Sequence, residues 1–502
     1  MIRNPILPGF HPDPSVCRVG QDVYLVTSSF SYFPGIPVFH SRDLSCWTQI
    51  GHVIDRPNML QLHGRHLSGG LWAPTIRYHD GLFYVICTHS EEKQDFVCTA
   101  EDPSGPWSDP HWIEGAPGID PSLFWDDDGQ CYMVGNDWSI GYCRIWGARF
   151  DERAFSLLEP PVELWRGALH DCHAPEAPHM YKRDGRYYLL IAEGGTGINH
   201  AVTVAASDRP LGRYRGYPGN PILTHRHLGQ RSDITCTGHG DLLEMEDHRW
   251  YMVLLGCRPT QGRTMLGRET FLAEVAWENG WPVVNPGIGR VTWEVPSPVG
   301  RPEDGGGMHV PEHLVWNRPG TRSEEAVRRD GDDILIRCVR APMLPDGDLD
   351  EPIGFTGRRV EHGTFVFRAM VTLPTAEASA GIMILQNRFH ALRLELVQEE
   401  GKVFVRCVKT WHEDGAMHAE TLFEEETGRR SAVLEIFSHG AAMPFMFTMS
   451  VDGNAVCLAD GWHLSVEEAG GFIGAYAGLF ASGNGREIGH EARFSGMLYE
   501  GK

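Results

Sequence analysis

Five times in its first 260 residues the chain repeats one short phrase, and few folds are open to a chain assembled that way. The phrase is a Pro-containing opening, an apolar residue, an Asp-Gly-like turn and then an aromatic run. It reads Asp13-Pro14-Ser15-Val16 before Val23-Tyr24-Leu25-Val26, and Ala73-Pro74-Thr75-Ile76 before Phe83-Tyr84-Val85-Ile86. It recurs as Asp120-Pro121-Ser122-Leu123 before Cys131-Tyr132-Met133-Val134, and as Glu176-Ala177-Pro178-His179 before Tyr187-Tyr188-Leu189-Leu190. A degenerate copy reads Gly240-Asp241-Leu242-Leu243 before Trp250-Tyr251-Met252-Val253. The aligned tyrosines Tyr24, Tyr84, Tyr132, Tyr188 and Tyr251 lie 48 to 63 residues apart, which fits four-stranded propeller blades with variable loops. In a radial arrangement each opening occupies an equivalent place around the axis. Asp13, Asp120 and Glu176 are therefore expected to converge on one pocket from three blades.

Residues 1–295 carry these phrases, with Asp-Gly hairpin signals at Asp80-Gly81, Asp128-Gly129 and Asp184-Gly185. Pro296-Ser297-Pro298 through Gly305-Gly306-Gly307 has linker composition, and 296–320 is expected to connect two domains. From 321 to 502 the pattern changes to closely spaced strands with no crossover helices, among them Thr364-Phe365-Val366-Phe367, Gly381-Ile382-Met383-Ile384 and Val403-Phe404-Val405-Arg406. That is the signature of an antiparallel β-sandwich. The expected fold is thus all-β, a five-bladed β-propeller followed by a β-sandwich.

Composition narrows the function. The 502 residues exceed one core, and a net charge of −22 repels nucleic acid and anionic membranes, so neither is an expected partner. The twelve cysteines show no Cys-x-x-Cys spacing, and those in apolar runs (Cys87, Cys131, Cys407) read as free buried thiols. With no leader-like segment at Met1-Ile2-Arg3-Asn4-Pro5, the expected location is cytoplasmic.

Cleaving a glycosidic bond takes two carboxyl groups in opposite protonation states, one to protonate the leaving oxygen and one to activate water or attack the sugar. Asp13, held between Pro12 and Pro14, could aim a water, or could simply cap a turn at a strand start. Glu176 is a poor turn former beside a proline, and a third carboxylate would raise its pKa by like-charge repulsion.

His11-Pro12-Asp13-Pro14-Ser15, Asp120-Pro121-Ser122, Glu176-Ala177-Pro178-His179 and Glu193-Gly194-Gly195-Thr196 resemble the glycoside hydrolases of family 43, and more narrowly its two-domain β-xylosidases. Thr237-Gly238-His239-Gly240-Asp241, Leu255-Gly256-Cys257-Arg258-Pro259 and, in the sandwich, Phe355-Thr356-Gly357-Arg358-Arg359 extend the resemblance over nearly the whole chain. It implies an inverting exo-hydrolase, with Asp13 as general base, Glu176 as general acid and Asp120 orienting the acid and raising its pKa. Inversion needs room for water, so the base and acid carboxyls should stand roughly 6.5–9.5 Å apart. The resemblance also implies Phe30 and Trp72 as aromatic walls and Arg258 as a substrate contact. No cofactor is required for chemistry, and His239 matches a histidine that in relatives approaches a structural calcium through water. The implied partner is a xylo-oligosaccharide or arabinoxylan fragment, with a homo-oligomer left open. An α-L-arabinofuranosidase is the alternative within the class, and a non-catalytic carbohydrate-binding propeller the alternative outside it. His170-Asp171-Cys172-His173 departs from the family pattern just before the acid.

Overall fold

The computed structural model describes residues 1–63, 66–169, 174–298, 306–340 and 352–502. Each phrase forms the first two strands of its own antiparallel sheet. These pairs are Ser15–Val19 with Asp22–Val26, Leu71–His79 with Leu82–His89, and Ile119–Trp125 with Cys131–Asp137. Glu176–Arg183 with Arg186–Glu193 and Thr235–Glu244 with Trp250–Cys257 complete the five blades. Two of the Asp-Gly turns have both residues at positive φ, Asp80 with Gly81 and Asp184 with Gly185, as a two-residue hairpin of matching twist demands. At the third site only Gly129 does, because the loop is longer and closes from the Asp126 amide to the Gln130 carbonyl at 3.0 Å.

The opening of each phrase is irregular for a structural reason. In blades two to five the innermost strand gains one residue on its neighbour, between Trp72 and Thr75, Ile119 and Ser122, Glu176 and His179, and Gly238 and Asp241. A left-handed residue sits in each bulge: Ala73 (φ 45°), Asp120 (56°), Ala177 (51°) and His239 (49°), matched in blade one by Asp13 (54°). The expectation that Glu176 is equivalent to Asp13 and Asp120 therefore needs correcting. Ala177 is the equivalent residue, and Glu176 precedes it, level with Trp72, Ile119 and Gly238. In the fifth blade His239, not Asp241, takes the bulge position. A bulge re-aims neighbouring side chains, so consecutive residues such as Ile119 and Asp120 both face the axial cavity.

Asp241 lies one step deeper and ties the blades together. Its fully buried carboxylate accepts hydrogen bonds from Ser15 Oγ (2.7 Å), Tyr181 OH (2.6 Å) and both Arg77 NH groups (2.8 and 3.1 Å). Blades one, two, four and five meet at this one group. Arg77→Met is expected to cost about 3–5 kcal/mol, since it leaves a buried charge uncompensated. A fall in the urea midpoint of unfolding measures it. The ring closes without a covalent bond: Ile2–Arg3 pairs with Glu294–Val295, and Asn4 brackets Leu272 of blade five through its Nδ2 and Oδ1 at 2.8 Å each.

The second unit stacks a seven-stranded sheet on a six-stranded sheet over one apolar core. The segment expected as a linker is ordered where described. Gly307–His309 adds a parallel strand to the edge of blade one, and Arg318–Pro319 pairs with Tyr32–Phe33. An apolar cluster of Phe10, Phe30 and Tyr32 from the propeller with Phe355, Tyr476 and Phe480 from the sandwich joins the two units. Tyr32 and Tyr476 stack at 3.9 Å, and Arg359 Nε donates to the Phe10 carbonyl at 2.8 Å.

Candidate active site

The bulged strand openings surround a cavity of about 100 Å3 lined by Asp13, Asp120 and Glu176 with Phe30, Trp72, Ala73, Ile119, Thr196, His200, His239, Arg268 and Phe472. The three carboxylates singled out by the sequence thus share one pocket with two of the aromatics.

Asp13 is built to be an anion. Its Oδ2 accepts from Ser28 Oγ at 2.7 Å, and its Oδ1 accepts from Arg268 NH1 at 2.8 Å with His239 Nδ1 at 3.3 Å. Burial alone would raise its pKa, but the Arg268 guanidinium, His239 and the Ser28 hydroxyl together hold it well below the usual carboxylate range. Ser28 in turn accepts the Ala73 amide at 2.7 Å, so Asp13 is braced by a neighbouring bulge.

Glu176 is built the other way. Burial, and then the charges of Asp120 and Asp13 against the opposing pull of His239, push its carboxyl up to about 8. Asp120 is also raised, by burial first and against His239's pull, with Asp13 adding to the rise. The Ala177 amide donates to Asp120 Oδ2 at 3.1 Å, so the residue next to Glu176 fixes the Asp120 carboxylate. His239 is raised: burial opposes its charge, but Asp13, Asp120 and Glu176 outweigh it. His200 is lowered to about 3 by burial and donates from Nδ1 to the Cys236 carbonyl at 3.0 Å.

Arg258 does not line the cavity. Its Nε and NH2 both bind the buried Glu269 at 2.6 Å, and NH2 reaches the Glu361 carbonyl at 3.3 Å. Arg268, immediately before Glu269 in sequence, points inward instead. It lies 5.7 Å from the Phe30 ring centre and 5.8 Å from that of Phe472, donates to Thr196 Oγ1 at 3.1 Å, and its buried Nε meets no protein acceptor among the described residues. Phe472 comes from the sandwich. Its amide donates to Ser68 Oγ at 2.9 Å, its carbonyl accepts from Arg268 NH2 at 3.3 Å, and its ring stands 6.0 Å from Trp72.

His239 is a poor fit to calcium. That ion takes six to eight oxygen ligands, whereas the Asp13 oxygen that meets His239 at 3.3 Å is already bound by the Arg268 cation. Among the described residues no group of three His, Cys, Asp or Glu is arranged to hold a metal. His170-Asp171-Cys172-His173 lies outside the described residues.

Residues 2–282 match the model of glycosyl hydrolases family 43, and residues 346–500 match the β-xylosidase C-terminal concanavalin A-like domain. The chain belongs to family 43. It is 40% identical to a xylosidase/arabinosidase of Butyrivibrio fibrisolvens over 96% of each chain. It is 34% identical to a non-reducing end α-L-arabinofuranosidase of Bacteroides ovatus, over 98% of this chain and 93% of the other. The structure of a xylan β-1,4-xylosidase from Bacillus halodurans superposes with a TM-score of 0.87 at 29% identity, covering all of both chains. The chain is accordingly a glycoside hydrolase, of a family whose chemistry needs no cofactor.

Proposed function

We propose that this hydrolase removes a terminal xylose from β-1,4-linked xylo-oligosaccharides with inversion at the anomeric carbon. Asp13 deprotonates the attacking water, Glu176 protonates the departing glycosidic oxygen, and Asp120 keeps Glu176 protonated and in place. The observation that carries this reading is the split in proton affinity within one pocket: Asp13 anionic and Glu176 neutral at pH 7. The small cavity walled by Phe30, Trp72 and Phe472 suits a single sugar ring at a chain end. The buried Arg268 Nε suits a sugar hydroxyl.

Hydrolysis of para-nitrophenyl β-D-xyloside against the α-L-arabinofuranoside tests the substrate. Proton NMR of the first sugar released tests the stereochemistry, with α-xylose expected from the β-xyloside. Faster cleavage of the arabinofuranoside would move the assignment to an α-L-arabinofuranosidase acting through the same three carboxylates, the activity named for the Bacteroides ovatus relative. An unchanged anomer would rule out inversion.

Two variants probe the roles. Arg268→Lys keeps the charge but loses the fork, and is expected to lower kcat/KM by about 10–100-fold, the worth of one charged hydrogen bond. In Asp120→Asn the alkaline limb of kcat/KM, set by the raised Glu176 carboxyl, is expected to move to lower pH. Removing a neighbouring negative charge makes Glu176 easier to ionise.

A further inference from the structure

A second, larger cavity of about 720 Å3 lies between blade five and the sandwich segment carrying Phe472. It shares Thr196, Arg268 and Phe472 with the carboxylate pocket. Two thiols face it, Cys236 and Cys257, and the hydrolytic reaction uses neither.

Their juxtaposition comes from a backbone irregularity. Thr235 pairs with Cys257, so in a regular ladder Cys236 would point to the opposite face of the sheet. The register slips by a residue between Thr235 and Gly238, and Cys236 adopts φ 56°. The half-buried Cys236 then stands next to Thr235, the ladder partner of the buried Cys257, and both cysteines line the one cavity. The neighbouring Cys257, with Thr235 and the Arg268 charge, lowers the Cys236 thiol below its ordinary value, while Cys236 and burial raise Cys257. The cavity gives a small oxidant a way in. Cys407 and Cys457 make a natural comparison, because both are raised.

We propose that Cys236 and Cys257 are a reversible oxidation site, closed to a disulfide by a peroxide-class oxidant, and that closure slows hydrolysis in the adjoining pocket. The Cys236 thiolate attacks one peroxide oxygen, the O–O bond breaks, and a sulfenic acid and one water result. The Cys257 sulfur then displaces the sulfenic oxygen as a second water and forms the S–S bond. Two thiols and one hydrogen peroxide give one disulfide and two waters, and a dithiol reductant reverses the change. The route to the active site is short. The Cys236 carbonyl anchors His200, which lines the carboxylate pocket, and His239 is three residues further along the same strand.

The test treats the full-length protein with hydrogen peroxide, blocks remaining thiols with iodoacetamide and maps peptides without reduction. A peptide pair joined through Cys236 and Cys257 is expected, with kcat/KM down by about tenfold or more, as small displacements in a reacting site produce. Dithiothreitol should restore both. Cys236→Ser and Cys257→Ser are each judged by the ratio of peroxide-treated to untreated activity, which should stay near one. Absence of the crosslinked pair overturns the site, and a crosslink with unchanged kcat/KM overturns the control of hydrolysis. The crosslink is read independently of the proposed reaction. The activity arm rests on that reaction, whose failure would already show in the untreated protein.

Discussion

Glu176→Gln is expected to lower kcat on xylobiose by about 10²–10⁴-fold, the usual worth of a positioned general acid. The same variant should lose far less on a para-nitrophenyl glycoside. A sugar alkoxide is a poor leaving group and needs a proton as the bond breaks, whereas nitrophenolate departs nearly unaided. Gln preserves the volume and can still donate a hydrogen bond, but it has no proton to give up. The buried wild-type group is neutral at pH 7, so the exchange removes no charge and the thermal midpoint should hold. Asp120 loses the neighbour whose ionisation competed with its own, and the Ala177 amide still holds it. Measuring kcat across a series of leaving groups decides the matter. Equal losses on activated and natural substrates would take the acid role away from Glu176.

The blades were legible because the elements carried local signals: alternation, a proline at the opening of the first strand in four blades, and Asp-Gly before the second in three. The register at the pocket was not. Whether Glu176 or Ala177 corresponds to Asp13 depends on the bulges opposite Ala192 and Leu190, and the extra residue is visible only through the strand it pairs with. The arginine was misplaced for a related reason. Arg258 and Arg268 lie at the same end of blade five, and either could reach the axis. Glu269 decides, by capturing Arg258 in a bidentate pair and turning it away from the pocket. No pattern around Arg268 distinguishes it.

Phe472 was hidden for a different reason. It sits 404 residues from Ser68, the group that holds its amide, and only the docking of sandwich on propeller makes them neighbours. In sequence it is an aromatic among glycines, Gly470-Gly471-Phe472-Ile473-Gly474, which reads as a loop. The sandwich therefore does more than support the propeller. It supplies one wall of the pocket, and the apolar cluster around Tyr32 and Tyr476 keeps that wall in register.

Asp13→Asn should lose activity on every substrate alike, with kcat down by about 10³–10⁴-fold whatever the leaving group. The asymmetry with Glu176→Gln follows from the roles. Water must be deprotonated in each case, whereas only some leaving groups need protonation. Raising the pH cannot rescue the variant, because an amide has no basic form at any pH where the protein is folded. The loss should therefore be flat across the neutral range, where Arg268, His239 and Ser28 keep the wild-type carboxylate ionised. The substitution also leaves the Arg268 guanidinium without its counter-charge and lets the His239 proton affinity fall, since Asp13 is the first of the groups that raise it. Stability should change in a defined sense. A carboxyl depressed in the folded state stabilises it above the unfolded-state pKa, and that contribution disappears as pH falls through the folded value. The variant is thus expected to melt below the wild type at pH 7, with the gap closing in strong acid. A smaller side chain separates lost chemistry from lost structure. In Asp13→Ala, added azide should attack the anomeric carbon where water did, forming a C–N bond as Glu176 protonates the leaving oxygen. The product should be a glycosyl azide of inverted configuration. A retained configuration, or no azide product in a folded variant that still binds sugar, would remove Asp13 from the water's side of the reaction.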